Sequence, residues 1–328
     1  ASLLGYYRQP RCSISHLSAL HGSRYHNILS WHEAYNLKMR VFDGNATRLF
    51  EEGSYIKKEI TVDALTILML AKTELLFLLD TFEQIHITAS SIEALQIEYM
   101  DALTLGPNTY VSQAYRFISQ TNNITICTDS PLINQNATDL CIPKFLYDAL
   151  IHASETAIPF LYADATIVAT LKLFLESPII TISIPAVLSV YEKVDIARSC
   201  KFRFNLLKNN YQFINFHYYD MYYQLLQNGF DLSKTDMEPF FRCKSYHDME
   251  SFGQVYSLLL SRLIEENHLC AIDYAKMVLG FLDKTAKRSE IYLYGMSSDT
   301  EKHKIMQRFV IYTLARFFCI LSCKNEPF

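Results

Sequence analysis

Between Glu59 and about Val190 the chain alternates two spacings of apolar residues. Short β-branched runs, EITVDA, QIHIT, NNITICT, PFLYAD and IITISI, read as strands. Between them LTILMLAKTELLFLLDTF, SSIEALQIEYMDAL, VSQAYRFISQ, KFLYDALIHASETA and ATIVATLKLFLE carry apolar residues at helical spacing, the second opened by a Ser cap. Strands separated by helical segments need crossover connections, so the pattern predicts an α/β domain with a small parallel sheet flanked by helices. Residues 1–57 hold only loosely helical stretches such as ILSWHEAYNLKMRVF. After about Tyr191 the strand signals stop, and MESFGQVYSLLLSRLIEEN and HKIMQRFVIYTLARFFCIL predict an all-α extension. The expected division is 1–57, a helical segment; 58–190, the α/β domain; and 191–328, a helical C-terminal region.

Composition narrows this picture. With 328 residues, half of them apolar, the chain can bury a substantial core, and 9 Gly and 9 Pro against 22 Tyr and 21 Phe describe an aromatic-rich, mostly helical protein. A net charge of −4 excludes a strongly basic nucleic-acid coat, so a polyanionic partner would have to be met by a local basic face. Eight scattered cysteines form no CxxC pair and no zinc spacing with a histidine, and they read as reduced, mostly buried thiols. The opening ASLLGYYRQPRC has neither an initiator Met nor the order of a signal peptide, which suggests an excised piece. The sequons at Asn45, Asn123 and Asn136 then read as accidents of composition. Asp164, Lys172, Glu176 and Arg316 interrupt the most apolar runs, so no membrane span is expected and the location expected is cytoplasmic.

The acidic residues recur at one kind of position. Asp63 ends the first strand, Glu93 opens the helix after the second, Asp148 lies early in KFLYDALIHASETA, and Asp164 ends PFLYAD. In a parallel sheet the carboxyl ends of strands and the amino ends of the following helices share one edge, where ligands bind. Four carboxylates meeting there would repel one another strongly when empty, which points to hard divalent cations with oxygen ligands, Mg²⁺ or Mn²⁺. Asp63 alone fits a helix cap equally well. Glu93 fits a surface residue in a first helical turn, with Glu98 or Asp101 able to take its place, and Asp148 fits a solvated helix face.

ITVDALTILML, SSIEAL and YDALIHASETAIPFLYAD together resemble the PIN-domain nucleases, in the bacterial type with helical flanking regions. The likeness covers roughly residues 58 to 190. It implies a metal-dependent endoribonuclease that cleaves RNA phosphodiesters, with Asp63, Glu93, Asp148 and Asp164 as catalytic, metal-binding acids served by Mg²⁺ or Mn²⁺. The hydroxyl that the family places beside its last Asp is absent from LYADAT, where Thr166 offers the nearest one. The resemblance also implies RNA as substrate, pairing as a homodimer, and membership of a larger regulatory or defence assembly.

The remaining candidates are softer. ARSCKFRF is the best local basic patch, with Lys201 and Arg203 as phosphate contacts. His152, four residues after Asp148, shares its helix face and could help hold a phosphate or a metal, against a partly buried structural role. His217 in FINFHYYDMYY is expected among packed rings. Cys319 and Cys323 read as core, and the apolar C-terminal helix as buried within the protein or in a dimer interface. Two further readings stay open: a catalytically silent PIN-like scaffold whose helical tail binds protein partners, and a helical effector module.

Overall fold

The computed structural model describes residues 24–34, 58–105, 109–130, 142–164, 179–190, 196–208, 216–231 and 234–242 as continuous stretches. Shorter pieces at 14–15, 39–40, 211–212, 255–256 and 258–263, and single positions at 18, 22, 266, 276, 280, 307, 311 and 315, complete the described set. The chain divides into two compact units, one of residues 1–195 and 209–214, the other of 196–208 and 215–328.

The first unit is built on five parallel strands: β1 (Glu59–Val62), β2 (Gln84–Thr88), β3 (Ile124–Cys127), β4 (Phe160–Tyr162) and β5 (Thr181–Ser183). They lie in the order β3-β2-β1-β4-β5. Ile126, Ile87, Val62, Leu161 and Ile182 form one row across the sheet. All but Ile126, on the edge strand, are buried, and each such side chain stabilises the fold by roughly 1.5–3 kcal/mol. The opposite face is more polar, because period-2 alternation puts Thr61, His86, Thr88, Thr125 and Cys127 there.

Helices connect the strands: α1 (Tyr25–Ala34) precedes the sheet, α2 (Ala64–Lys72) follows β1, α3 (Ala89–Leu105) and α4 (Thr109–Gln120) follow β2, and α5 (Lys144–Thr156) joins β3 to β4. Residues Ala64 to Ala71 of α2 are all buried, which explains why no polar stripe interrupts ALTILML.

The long helix expected over residues 65–82 is two elements. Helix α2 stops at Lys72 and a 3₁₀ helix covers Leu76–Thr81. The stop is a Schellman turn: Leu75 N–H reaches Leu70 O at 2.7 Å, Glu74 N–H reaches Ala71 O at 3.2 Å, and Glu74 takes the left-handed φ of 60°. At the start of α3 the hydroxyl nearest Ser91 N–H belongs to Thr88, at 3.4 Å, while Ser90 donates its N–H to Asp129 at 2.8 Å. Neither serine acts as the cap; both lie inside the helix.

The second unit contains α6 (Ile196–Lys208), α7 (Tyr218–Gln227) and α8 (Glu238–Arg242). His217, expected among rings, is instead the exposed N-cap of α7, in a capping box with Asp220. Phe216 and Phe240 supply the buried ring contact, with centroids 5.0 Å apart. The C-terminal run HKIMQRFVIYTLARFFCIL lies almost wholly outside the described residues; Gln307, Ile311 and Ala315 are helical and exposed. Among the described residues no helix is long and apolar enough to cross a membrane.

Candidate functional site

The sheet order reverses between β1 and β4, since β1 connects toward β2 and β3 on one side and β4 toward β5 on the other. Chains leaving the two strands diverge there and open a crevice at the carboxyl edge. Asp63 directly follows β1 and Asp164 lies two residues beyond β4, so both acids stand at that reversal. Each is almost fully buried.

Asp63 is the N-cap of α2 and accepts Thr66 N–H on Oδ1 at 2.7 Å. Burial first, and then the neighbouring charge of Asp164, push its carboxyl up to about 6 against the hydrogen bonds from Thr66. Asp164 accepts Ile14 N–H on Oδ2 at 2.8 Å. The two acids are thus close enough to feel each other, and each already receives a backbone donor.

Asp148 belongs to a second group on the same edge, after β2 and β3. Its Oδ2 accepts Ser90 Oγ at 2.6 Å and Lys144 Nζ at 2.5 Å, while Oδ1 is buried without a hydrogen-bond partner. Lys144 also reaches Asp129 at 2.9 Å. Although burial acts the other way, Asp148 and then Asp129 hold the ammonium above its ordinary pKa; burial likewise opposes Lys144 and Ser90, which draw the Asp129 carboxyl down.

Glu93 stands apart. It is exposed on α3, lining a surface cleft with Arg24, Gln96, Met100 and Asp101. The buried carboxylate of that helix is Glu98, five residues later, which accepts Tyr25 N–H at 2.8 Å, His26 N–H at 3.1 Å and contacts His26 Nδ1 at 2.6 Å. It therefore caps α1. Tyr25 is itself raised above its ordinary pKa, first by burial, with Asp63 and Glu98 adding to the shift. Ile14, Tyr25 and His26 accordingly supply backbone donors to two of the buried acids, and the Tyr25 phenol feels the charge of a third, Asp63.

The basic candidates separate in the same way. Lys201 is exposed on α6, whereas Arg203 donates through Nε to buried Asp220 at 2.8 Å and through Nη1 to Ser199 at 2.9 Å. Thr166 lies outside the described residues.

One cluster was marked in the sequence by His152 alone, without the partners that the fold gives it. On the polar face of the sheet, His86 of β2, Cys127 of β3 and His152 of α5 bring Nδ1, Sγ and Nε2 together. The separations are 3.5 Å from Sγ to His86, 3.3 Å from Sγ to His152 and 3.3 Å between the nitrogens. The rings stack with centroids 5.3 Å apart, and His86 Nε2 lies 3.1 Å from Glu59 Oε2. Burial and then His86 pull the His152 pKa down, and burial raises that of Cys127. Signal for this cluster was weak because its members are 41 and 25 residues apart along the chain.

Compared with known proteins, the chain matches no family model, no curated protein and no solved structure.

Proposed function

We propose that the first unit is a divalent-metal-dependent endoribonuclease of PIN type, with Asp63 and Asp164 as its first metal ligands. The observation that supports this reading best is the pairing of two buried carboxylates at the reversal point of a parallel sheet, where one raises the pKa of the other. The donor set suits Mg²⁺ or Mn²⁺, being oxygen only and carrying charge that a cation would neutralise. When bound, such an ion supplies Lewis acidity toward phosphoryl oxygens and lowers the pKa of water.

The chain's own residues divide the remaining work. Thr66 N–H fixes the Asp63 carboxylate by holding one oxygen. Lys144 neutralises Oδ2 of Asp148 and leaves buried Oδ1 as the oxygen that Asp148 can offer a cation. Glu93, in its separate cleft, has no part in this set. RNA as substrate rests on the resemblance of ITVDALTILML and YDALIHASETAIPFLYAD to the family, and exposed Lys201 remains a candidate for the backbone phosphates.

A catalytically silent scaffold is favoured by a different observation: Asp164 and Glu98 accept N–H donors from Ile14, Tyr25 and His26, so the acids serve the chain's own N-terminal segment. Asp164→Asn separates the two readings. Asn keeps an acceptor for Ile14 N–H but removes the charge. In a nuclease, Mn²⁺-dependent cleavage of single-stranded RNA falls by orders of magnitude, and Mn²⁺ raises the melting temperature of the wild type only. Absence of cleavage and of any Mn²⁺ shift in the wild type would leave the scaffold.

A further inference from the structure

His86, Cys127 and His152 each bring one donor atom within 3.5 Å of the other two, a triangle that hydrogen bonds fill only with poor geometry. An imidazole nitrogen either carries a proton or presents a lone pair, and it cannot donate and accept in the ring plane at once. Three mutual contacts among two such nitrogens and one thiol can all be hydrogen bonds only if one N–H is shared between two acceptors and one lone pair between two donors, each with bent geometry. The nitrogen pair, at 3.3 Å, is also longer than an ordinary N–H bond to a good acceptor.

A tetrahedral ion accounts for all three contacts together. With metal–nitrogen distances of about 2.05 Å and a metal–sulfur distance of about 2.3 Å, the edges of the tetrahedron are about 3.35 Å between nitrogens and about 3.55 Å between nitrogen and sulfur. The observed separations are 3.3 Å, and 3.3 and 3.5 Å. Glu59 is a second, independent sign. A carboxylate on Nε2 of His86 holds the proton there and leaves Nδ1 as the lone pair facing the cluster, the arrangement typical of histidines that bind metal.

We propose that His86, Cys127 and His152 form a zinc site on the polar face of the sheet, separate from the carboxylate edge. A thiolate with two imidazoles selects zinc over Mg²⁺ or Mn²⁺. With three protein donors among the described residues, the fourth position falls to water or an incoming ligand. The ion ties β3, an edge strand, to β2 and α5. The site does not depend on the nuclease reading, because none of its donors is one of the edge carboxylates.

The test uses the full chain, stripped with a chelator under reducing conditions and titrated with Co²⁺ and then Zn²⁺. Expected are tetrahedral cobalt bands with a thiolate charge-transfer band, saturating at one ion per chain and abolished by one equivalent of Zn²⁺. Cys127→Ser loses the charge-transfer band, while Cys200→Ser and Asp164→Asn keep the full spectrum. His152→Ala and Glu59→Gln, at partly exposed side chains, keep the fold by circular dichroism; Glu59→Gln, which removes an outer-shell partner, weakens zinc binding about 10–100-fold, and His152→Ala, which removes a ligand, weakens it more. A wild-type chain without these bands overturns the site. So does a charge-transfer band that survives Cys127→Ser, or unchanged affinity in both His152→Ala and Glu59→Gln, the arms that decide if Cys127→Ser does not fold.

Discussion

At the residue scale, Asp63 combines a helix cap with a carboxylate held out of water beside a second one. The capping oxygen needs only to accept Thr66 N–H, which a neutral amide does nearly as well. The charge is a separate matter. Its pKa rises from 3.8 to about 6 on folding, so between about pH 4 and pH 6 the folded chain binds more protons than the unfolded one. The contribution of this group to stability is therefore greatest in acid and is lost as pH rises through 6. At pH 7 the ionised form is disfavoured by about 3 kcal/mol. In chelator, Asp63→Asn should thus be more stable than wild type at pH 7, by up to about 3 kcal/mol, and equal to it near pH 4. Urea unfolding of both chains across that range checks the sign; a wild-type excess that is constant with pH would show that the carboxylate is not strained. The cap was legible in the sequence, because Asp directly before an apolar helix is a local signal. The charge of Asp164 could be expected from two strand ends that share one edge, but the nearly complete burial could not, since it depends on how the rest of the chain packs over that edge.

At the element scale, the strands could be read because a buried parallel sheet imposes β-branched runs, and all five runs became strands. The break in α2 was missed for a physical reason. Its C-terminal turn is closed by Glu74, not by the glycine that usually signals a left-handed position. Helix α7 shows the contrast: Phe230 N–H reaches Leu225 O and Gly229 N–H reaches Leu226 O, with Gly229 at φ 60°. A non-glycine residue in the left-handed region is disfavoured by roughly 1–2 kcal/mol, part of which glycine returns through the freedom of the unfolded chain. Since the Glu74 side chain is exposed, Glu74→Gly should stabilise the first unit by up to about 1 kcal/mol. Gly229→Ala should lower stability by about the same amount. Denaturant midpoints measure both, and a Glu74→Gly variant weaker than wild type would mean that the Glu74 side chain has a role of its own. The zinc cluster lies beyond any reading of elements one at a time, because His86, Cys127 and His152 come from two strands and a helix that only the sheet order brings together.

At the scale of the whole molecule, the question is whether the basic residues after the sheet serve a substrate or the fold. Arg203 and Lys201 looked alike in ARSCKFRF, yet they lie in different surroundings. Arg203 is mostly buried, its guanidinium held by Asp220 and Ser199, and Asp220 is fully buried and also accepts His217 N–H at 2.7 Å. Removing the guanidinium leaves that carboxylate without its counter-ion, which destabilises a fold by about 3–5 kcal/mol. Arg203→Ala should therefore unfold the second unit at lower denaturant and strip hydrogen-exchange protection from α6 and α7. Lys would not restore it, because an ammonium cannot span both partners as the planar fork does. Lys201→Ala, at an exposed position, should leave protection unchanged and, on the proposed nuclease reading, reduce only RNA affinity, with a shallower dependence on salt. If Arg203→Ala kept its exchange pattern and lost RNA affinity with a shallower salt slope, the residue would belong to the substrate after all, and the second unit would owe its packing to Phe216 and Phe240 rather than to the ion pair.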